Sequence, residues 1–303
     1  MHMVYASSKH DLEVSGGEWN RSGGSRTYTD SNTPIAFDNC YNGAITNLYV
    51  HDSPNDNIYA IGCQNFYLSK VDSRNAGYML CEMSFSRDCT IEDGNFYNGQ
   101  CGIYCYTETD GVVQNVSGNI IRRCTVGMTN QSGISISLRG SEDVGDNCLF
   151  EYNVLTDCGN DGDHPAINMG FGSNSTKNSI IRYNTISDPK GLAGAGIELS
   201  GINCQVIGND ISKTGEGGIN AYYGSGNTIT GNTIDSCGSQ GYASLILACS
   251  NSVATGNTIK NCKRAAISNT GSGNTVTPNT IINCTGTGSS PTGGDYQVFR
   301  RAS

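Results

Sequence analysis

The strongest constraint on the fold is a short segment that recurs near the C-terminus. Three stretches are near copies of one another: Ile229-Thr-Gly-Asn-Thr-Ile234-Asp-Ser-Cys237, Ala254-Thr-Gly-Asn-Thr-Ile259-Lys-Asn-Cys262 and Val276-Thr-Pro-Asn-Thr-Ile281-Ile-Asn-Cys284. Each contains an apolar residue, a second one five positions later, and a cysteine three positions after that. A recurrence every 22 to 25 residues is too short for a domain and fits one coil of a solenoid.

The same pair of apolar positions can be followed back almost to the N-terminus. One pair alone has no meaning, but eleven in series, mostly with Asn or Gly between the members, predict eleven coils. The eight earlier pairs are Val14/Trp19, Ile45/Val50, Phe66/Val71, Ile91/Phe96, Val116/Ile121, Phe150/Leu155, Ile181/Ile186 and Val206/Ile211.

A third short run in most coils alternates apolar and polar residues, as around Ile103, Ile134, Ile167, Ile197 and Ile219. This period of two is typical of a strand with one buried face, and Gly, Asn, Ser and Asp bound each run as turn formers. Three short strands per coil, each beside its equivalent in the next coil, predict an all-β, single-domain parallel β-helix over residues 11–285. Residues 1–10 are then expected to form an N-terminal arm or to derive from cloning, and 286–303 a C-terminal tail.

These repeats resemble the coil motif of the right-handed parallel β-helix, or pectin-lyase-like, superfamily. The resemblance extends over about residues 11–285 and implies the right-handed winding. It also implies a carbohydrate partner, because the superfamily includes polysaccharide lyases, glycoside hydrolases, uronate epimerases, phage tailspikes and adhesins. An extracellular, cell-surface or virion location follows only from this resemblance.

Composition excludes several other classes of function. The net charge is −9, and no basic stripe of the kind that neutralises phosphates is present, so nucleic acid is not an expected partner. No apolar run is long enough to span a membrane, and no signal peptide is recognisable. Met1-His2-Met3 resembles a cloning junction, which leaves room for an upstream domain. A homo-oligomer is equally open.

Fourteen cysteines are present, and five share one position of the repeat: Cys124, Cys158, Cys237, Cys262 and Cys284. Stacked coils bring equivalent Cα atoms within disulfide range. Three of the five lie on successive coils, however, and cannot all pair. The favoured interpretation is a ladder of buried free thiols that act as small hydrophobes, with disulfides as the alternative. No CxxC motif indicates zinc, and no metal site is predicted.

The middle coils are longer than the others, with 34 residues from Ile121 to Leu155 and 31 from Leu155 to Ile186. The additional length flanks the third strand on both sides, which predicts a trough with loop walls. Strand alternation sends the neighbours of the inward isoleucines onto the floor of this trough. The predicted binding set is Tyr106, Asn168, Glu198, Asn220, Tyr222 and Asp161.

The loop Asp161-Gly-Asp163-His164-Pro165 is the densest chemical cluster in the chain. A histidine beside two aspartates can serve as a general acid or base. Uronate epimerases of the superfamily carry an Asp-Pro-His cluster on a comparable strand, and the order here differs. The predicted catalytic set is His164, Asp163, Arg139 as the cation and Tyr104 as the proton donor; ordinary turn aspartates and a solvated histidine are the alternative.

Three functions remain open from the sequence. A lyase or C5-epimerase acting on an acidic glycan needs a base, a proton donor, and a cation or Ca²⁺ for the enolate. A glycoside hydrolase needs two carboxylates, for which Glu198 with Asp161 or Asp163 would qualify. A non-catalytic glycan-binding tail fibre or adhesin is favoured by the lack of an intact catalytic motif. Whether Ca²⁺ takes part is unknown at this stage.

Overall fold

The computed structural model describes residues 3–20, 33–107, 113–170, 172, 176–188, 190–191, 194–284 and 297–299. Within these ranges the regular structure consists of β-strands, and every pairing between two of them is parallel. Three ladders of strands run along the molecule, one on each side of a shared core. This is the predicted all-β parallel β-helix.

The first ladder, called the front ladder below, has eleven strands in series, which matches the predicted eleven coils. The short strand β18 (Thr176–Lys177) pairs beside it with β21. Its strands are β1 (Val4–Ser7), β4 (Ile35–Asp38), β6 (Ile58–Ile61), β8 (Met79–Ser84), β11 (Cys101–Tyr106), β14 (Ile134–Ser137), β17 (Ile167–Met169), β21 (Ile197–Ile202), β24 (Ile219–Ser225), β27 (Leu245–Leu247) and β30 (Ile267–Asn269).

The other two ladders are joined in coils two and three, where one continuous strand serves both. The second ladder comprises β2 (Glu13–Ser15), β5 (Ala44–His51), β7 (Tyr67–Arg74), β9 (Thr90–Glu92), β12 (Ile120–Arg122), β15 (Leu149–Glu151), β19 (Ile180–Arg182), β22 (Gln205–Ile207), β25 (Thr228–Thr230) and β28 (Val253–Thr255). The third shares β5 and β7 and adds β3 (Glu18–Asn20), β10 (Asn95–Gly99), β13 (Thr125–Thr129), β16 (Val154–Cys158), β20 (Thr185–Ser187), β23 (Asp210–Ser212), β26 (Thr233–Asp235), β29 (Thr258–Lys260), β31 (Thr280–Ile282) and β32 (Gln297–Phe299).

The core consists of stacked apolar lines, as the repeat predicts. On the front ladder, Ile134, Ile167, Ile197 and Ile219 pair in register and are completely buried. Leu155, Ile186, Ile211, Ile234, Ile259 and Ile281 form the corresponding line of the third ladder. Each coil therefore buries its apolar positions against its two neighbours, which is the usual source of stability in solenoids.

The predicted register is wrong in two early coils. Ile121 pairs with Phe150 in the second ladder, and Val126 rather than Ile121 pairs with Leu155 in the third. In coil three, Leu68 and Ser73 occupy the two positions that were assigned to Phe66 and Val71. In coil five, apolar residues five apart occur twice in succession, so spacing alone does not select the pair; in coil three, the second position is occupied by the polar Ser73, which an apolar pattern does not find.

The corrected register also changes the lengths of the long coils. Hydrogen bonds join equivalent positions of neighbouring coils, so the separation of the two bonded residues gives the length of a coil. The bonded pairs Cys89/Asn119, Cys124/Asn153 and Asn153/Asn184 are 30, 29 and 31 residues apart. In the four coils that follow, the bonded asparagines are 25, 23, 25 and 22 residues apart. Three middle coils are therefore lengthened, not two.

Both predicted ends of the domain also need correction. The proposed arm contains β1, which pairs with β4 and forms the first strand of the front ladder. At the other end, β32 lies within the proposed tail and pairs with β31. Strand pairing of the β-helix therefore extends beyond residues 11–285 in both directions.

The cysteines follow the prediction of buried thiols with two exceptions. Twelve are free and buried, whereas Cys262 and Cys284 form a disulfide between neighbouring coils. Cys124 does not share the position of Cys158, because Cys158 pairs with Thr129 and Cys124 is equivalent to Asn153. The five-residue thiol ladder is thus reduced to four members, two of which are joined.

Candidate functional site

The outward face of the front ladder carries one continuous line of polar side chains. Strand register aligns Tyr104, Ser135, Asn168, Glu198 and Asn220 on five successive coils. Asn168 Nδ2 donates a hydrogen bond of 3.2 Å to Ser135 Oγ. Alternation along each strand turns these residues away from the core. Ser135 and Asn220 are completely buried, so Tyr104, Asn168 and Glu198 form the accessible part of this line, where the floor of the trough is predicted.

His164 lies on the loop before β17, three residues ahead of the inward Ile167. Its Nδ1 atom is 2.8 Å from Asp161 Oδ2, and both side chains are partly exposed. If the Nδ1 proton is donated to Asp161, the lone pair of Nε2 is left open. Asp161 Oδ1 accepts a bond from the backbone N–H of Asp163, which fixes the loop. The pair therefore has the arrangement of an oriented general base.

Glu216 occupies the same loop position two coils later, three residues before Ile219. Backbone bonds stack the two loops through Gly194, whose N–H donates to His164 O and whose carbonyl accepts from Glu216 N–H. A Cβ atom at Gly194 would lie only 3.1 Å from the backbone of His164. The three stacked positions His164, Gly194 and Glu216, of which the middle one has no side chain, are called the notch below; Glu216 was not identified from the sequence.

Glu198 lies on the floor beside this notch, and its carboxyl group is perturbed. Burial raises the pKa of Glu198, the Glu216 carboxylate raises it further, and nearby His164 lowers it. The pKa of Glu216 is also raised, by burial and then by Asp163. Both carboxyl groups therefore retain a proton at higher pH than an ordinary glutamate, and a protonated carboxyl can donate a hydrogen bond.

Tyr222 and Asn220 complete the cluster on β24. Asn220 Nδ2 donates to the Tyr222 hydroxyl oxygen at 3.1 Å and lies 3.4 Å from Glu216 Oε2. Because Asn220 is the donor, the Tyr222 proton is available to another acceptor. Burial, then Glu216 and Glu198, raise the pKa of Tyr222 to about 12, so its hydroxyl remains protonated at neutral pH. The Asn220 Oδ1 atom is buried without a hydrogen-bond partner among the described residues.

The register separates two predicted catalytic residues from this cluster. Arg139 follows β14, whereas His164 precedes β17, so the two lie at opposite ends of neighbouring strands. Tyr104 is three strands from Glu198, or about 14 Å at the usual spacing. Neither residue shares the notch with His164. Tyr104 instead packs against Tyr106, with ring centroids 5.4 Å apart.

Two other clusters of ionisable groups differ from the notch in accessibility. His51 is buried, and its two ring nitrogens lie 3.0 Å from Glu18 and 2.8 Å from Asp52, so neither is open. Glu82 and Asp56 are buried next to each other. Sequence analysis missed the pair, because Asp56 is on a turn and only the fold brings it to Glu82.

Among the described ranges, no group of three or more His, Cys, Asp or Glu side chains is arranged to hold a metal ion, and we derive no step through Ca²⁺. The residues that the structure places likewise include no apolar helix of membrane-spanning length.

Comparisons with solved structures return proteins of one architecture. The A-module of mannuronan C-5 epimerase AlgE6 from Azotobacter vinelandii is 14% identical, with 99% of this chain and 88% of that chain covered and a TM-score of 0.67. The surface protein and adhesin PfbA of Streptococcus pneumoniae is 14% identical, with coverages of 96% and 77% and a TM-score of 0.55. The tailspike of Escherichia coli bacteriophage HK620, in complex with a pentasaccharide, is 12% identical, with coverages of 95% and 58% and a TM-score of 0.59.

At these identities the likeness concerns the fold alone. A search of curated proteins found no significant match. The family described as "Right handed beta helix region" matches residues 33–201 and 166–299, which is most of the chain. The chain therefore belongs to the right-handed β-helix family.

Proposed function

We propose that this protein processes an acidic polysaccharide by removing the C5 proton of a uronate unit, as a lyase or a C5-epimerase does. The observation that carries the proposal is the His164–Asp161 pair, in which Nδ1 lies 2.8 Å from the carboxylate and which is close enough to Glu198 for His164 to lower the pKa of that carboxyl group. His164 thus belongs to a group of ionisable side chains on neighbouring coils that includes Asp163, Glu198 and Glu216. Two of the proteins with a similar fold, an epimerase module and a tailspike, have carbohydrate partners by their names.

The cluster supplies a group for each stage of the reaction. His164 Nε2 takes the C5 proton, and Asp161 stabilises the imidazolium that forms. Protonated Glu198 and Glu216 donate hydrogen bonds to the uronate carboxylate, on which negative charge increases as the enolate develops. Tyr222 then returns a proton to C5 from the other face, or donates it to the leaving glycosidic oxygen in an elimination. The carboxyl groups must be protonated, because ionised ones would repel the substrate.

The first test uses a panel of polyuronates. A lyase would produce unsaturated ends that absorb in the near ultraviolet, and an epimerase would incorporate deuterium at C5 from D₂O. We expect His164→Ala to lower the rate by about 10²- to 10⁴-fold, the usual share of a general base. His10→Ala is the matched control, since His10 forms a similar 2.8 Å pair with Asp11 on the first coil. Equal rates for both variants and the parent protein would contradict the role of His164.

A glycoside hydrolase is the second candidate, favoured by the mutual interaction of Glu198 and Glu216. Two neighbouring carboxyl groups are the usual machinery of that reaction. Glu198→Gln separates the two functions. The amide still donates a hydrogen bond, so a lyase or epimerase keeps much of its rate. Because the amide does not ionise, this rate falls less with rising pH than the rate of the parent protein does. A hydrolase loses its acid or nucleophile and becomes inactive, and reducing ends no longer appear.

The non-catalytic alternative has its own signature. If no polyuronate or neutral glycan is turned over, yet one binds and Tyr222→Ala abolishes the binding, the protein is a glycan-binding fibre or adhesin. The surface adhesin of similar fold makes this outcome a real competitor. An extracellular or surface location is part of either proposal.

A further inference from the structure

A cavity of about 390 Å³ lies outside the catalytic cluster, at the turns that follow β4, β6 and β8. Its volume falls in the range of small-ligand sites. It lies at the far end of the strands from His164, because that residue precedes its strand and the cavity residues follow theirs. The side chains that define it are Tyr41, Gln64, Phe85, Arg87, Val113 and Asn115.

The cavity combines a cation with aromatic surface. Arg87 is exposed and donates one bond, of 3.0 Å, to Gln64 Oε1. Among the described residues it forms no ion pair, although a guanidinium group carries five N–H donors. Gln64 Nε2 in turn donates to Asp88, which fixes the amide that holds Arg87. Tyr41 is 47% exposed, so its ring is available at the cavity.

These groups match one ligand chemistry. A guanidinium group binds a carboxylate through paired N–H donors, and aromatic side chains pack against the apolar face of a sugar ring. The thiol of Cys63 at the cavity is inert, because burial raises its pKa to about 12. The cavity therefore fits an anionic sugar better than a neutral or cationic ligand.

A chain of aromatic contacts connects the cavity with the trough. The rings of Phe85 and Tyr106 have centroids 6.3 Å apart, and those of Tyr106 and Tyr104 are 5.4 Å apart. Tyr104 begins the outward line that leads over Ser135 and Asn168 to Glu198. Since Ser135 is completely buried, an extended polymer that runs from the cluster to the cavity would contact Asn168 and Tyr104.

We propose that the cavity is a distal subsite of the trough, at which Arg87 binds the carboxylate of a uronate several sugar units away from the reacting one. Phe85, Tyr106 and Tyr104 guide the chain between the two places. This inference rests on the proposed function for its substrate class. It adds that the protein binds long acidic chains more tightly than short ones.

The test measures affinity without turnover. His164→Ala is titrated calorimetrically with short and long oligomers of galacturonate, mannuronate, guluronate and glucuronate, and with neutral maltooligosaccharides. Adding Arg87→Ala should weaken binding of the long oligouronates about tenfold and leave the short ones unchanged, since one charge-assisted contact of about 1.4 kcal/mol corresponds to that factor. Arg74→Ala is the matched control, because Arg74 is also exposed and lies nearby in the chain but is paired with Asp72.

The outcomes separate this inference from the proposed function. Equal affinities with and without Arg87 for every long oligouronate overturn the distal subsite, even if His164-dependent turnover is found. The same loss for neutral oligosaccharides also overturns it, because the site would then not recognise charge. If binding depends on Arg87 while the parent protein turns over no polyuronate, the proposed chemistry fails and the subsite stands. Absence of binding to all oligouronates contradicts both.

Discussion

At the scale of single residues, the most perturbed acid is Glu82, which is 3% exposed. Burial and then the nearby Asp56 carboxyl raise its pKa well above the usual range, against hydrogen bonds from Ser84 and Tyr106 that lower it. Asp56 accepts the backbone N–H of Met79 at 2.9 Å, so it is held in place. Glu82 therefore keeps its proton to higher pH in the folded protein, and a protonated carboxyl group can donate a hydrogen bond to Asp56.

This pair makes stability depend on pH. In the unfolded chain Glu82 releases its proton near the ordinary value, whereas the folded protein retains it to higher pH. The folded state then binds more protons, and the free energy of unfolding falls as the pH rises above the unfolded pKa. Glu82→Gln should remove this fall and raise stability at neutral pH, because the amide still donates to Asp56. Denaturation at several pH values checks this expectation, with Glu142→Gln at an exposed position as the control. If the free energy of unfolding depended on pH in the same way with and without Glu82, the pair would not be the cause.

Sequence analysis found part of the site at this scale. His164 was named as the base because it lies in a loop with two aspartates, but it was paired with Asp163, and Asp161, whose Oδ2 lies 2.8 Å from His164 Nδ1, was assigned to substrate binding. Glu216 carried a signal that was available, since it precedes its inward isoleucine by three residues as His164 does. No sequence signal identified Asp56, because its partner Glu82 is on another coil and only folding brings the two residues together. Tyr104 was assigned to catalysis because alternation predicts which face a side chain occupies but not how many coils separate it from its partners.

At the scale of structural elements, a buried ladder of asparagines organises the turn between the second and third ladders. The repeated Asn of the sequence motif lies at this turn in each of the late coils. Each amide Nδ2 donates to the Oδ1 of the next coil at 2.9 to 3.0 Å, and the same Oδ1 accepts a backbone N–H. The members are Asn153, Asn184, Asn209, Asn232, Asn257 and Asn279.

Removing one asparagine of this ladder should strongly destabilise the β-helix. Asn232→Ala takes the acceptor from two buried donors, the backbone N–H and Nδ2 of Asn209, and the donor from Val206 O. At about 1–3 kcal/mol for each of the two unsatisfied donors, we expect a loss of roughly 2–6 kcal/mol in the first cooperative unfolding transition. Thr230→Ala, two residues away on the same turn, should cost under about 1 kcal/mol. Similar losses for the two variants would show that the ladder contributes little.

The same element explains the error in register. Val116/Ile121 and Ile121/Val126 are both apolar pairs five residues apart, so periodicity accepts either. What selects the second pair is hydrogen bonding: Cys124, just after β12, donates its N–H to Asn153 Oδ1 and so continues the asparagine ladder without being an asparagine. A cysteine in an asparagine position gives no sequence signal. The late coils were assigned correctly because their motif is nearly unvaried.

At the scale of the whole molecule, the reactivity of the thiols indicates whether the β-helix is folded. The twelve free cysteines are buried at positions along nearly its full length, and Cys262–Cys284 joins two of the last coils. Burial raises the pKa of several of them to about 12, among them Cys89, Cys124 and Cys148. Since the thiolate is the reactive form, both exposure and ionisation oppose reaction in the folded state.

Thiol titration should therefore follow unfolding of the whole protein. In the native state we expect almost none of the fourteen cysteines to react with an aromatic disulfide reagent. In denaturant without reductant twelve should react, and prior reduction should raise the number to fourteen, because the single disulfide then opens. Cys262→Ser with Cys284→Ser is the control, and its denatured number should be twelve with or without reduction. Fourteen reactive thiols in denaturant alone would refute the disulfide, and many in the native state would refute the closed core that stacks the coils under the trough.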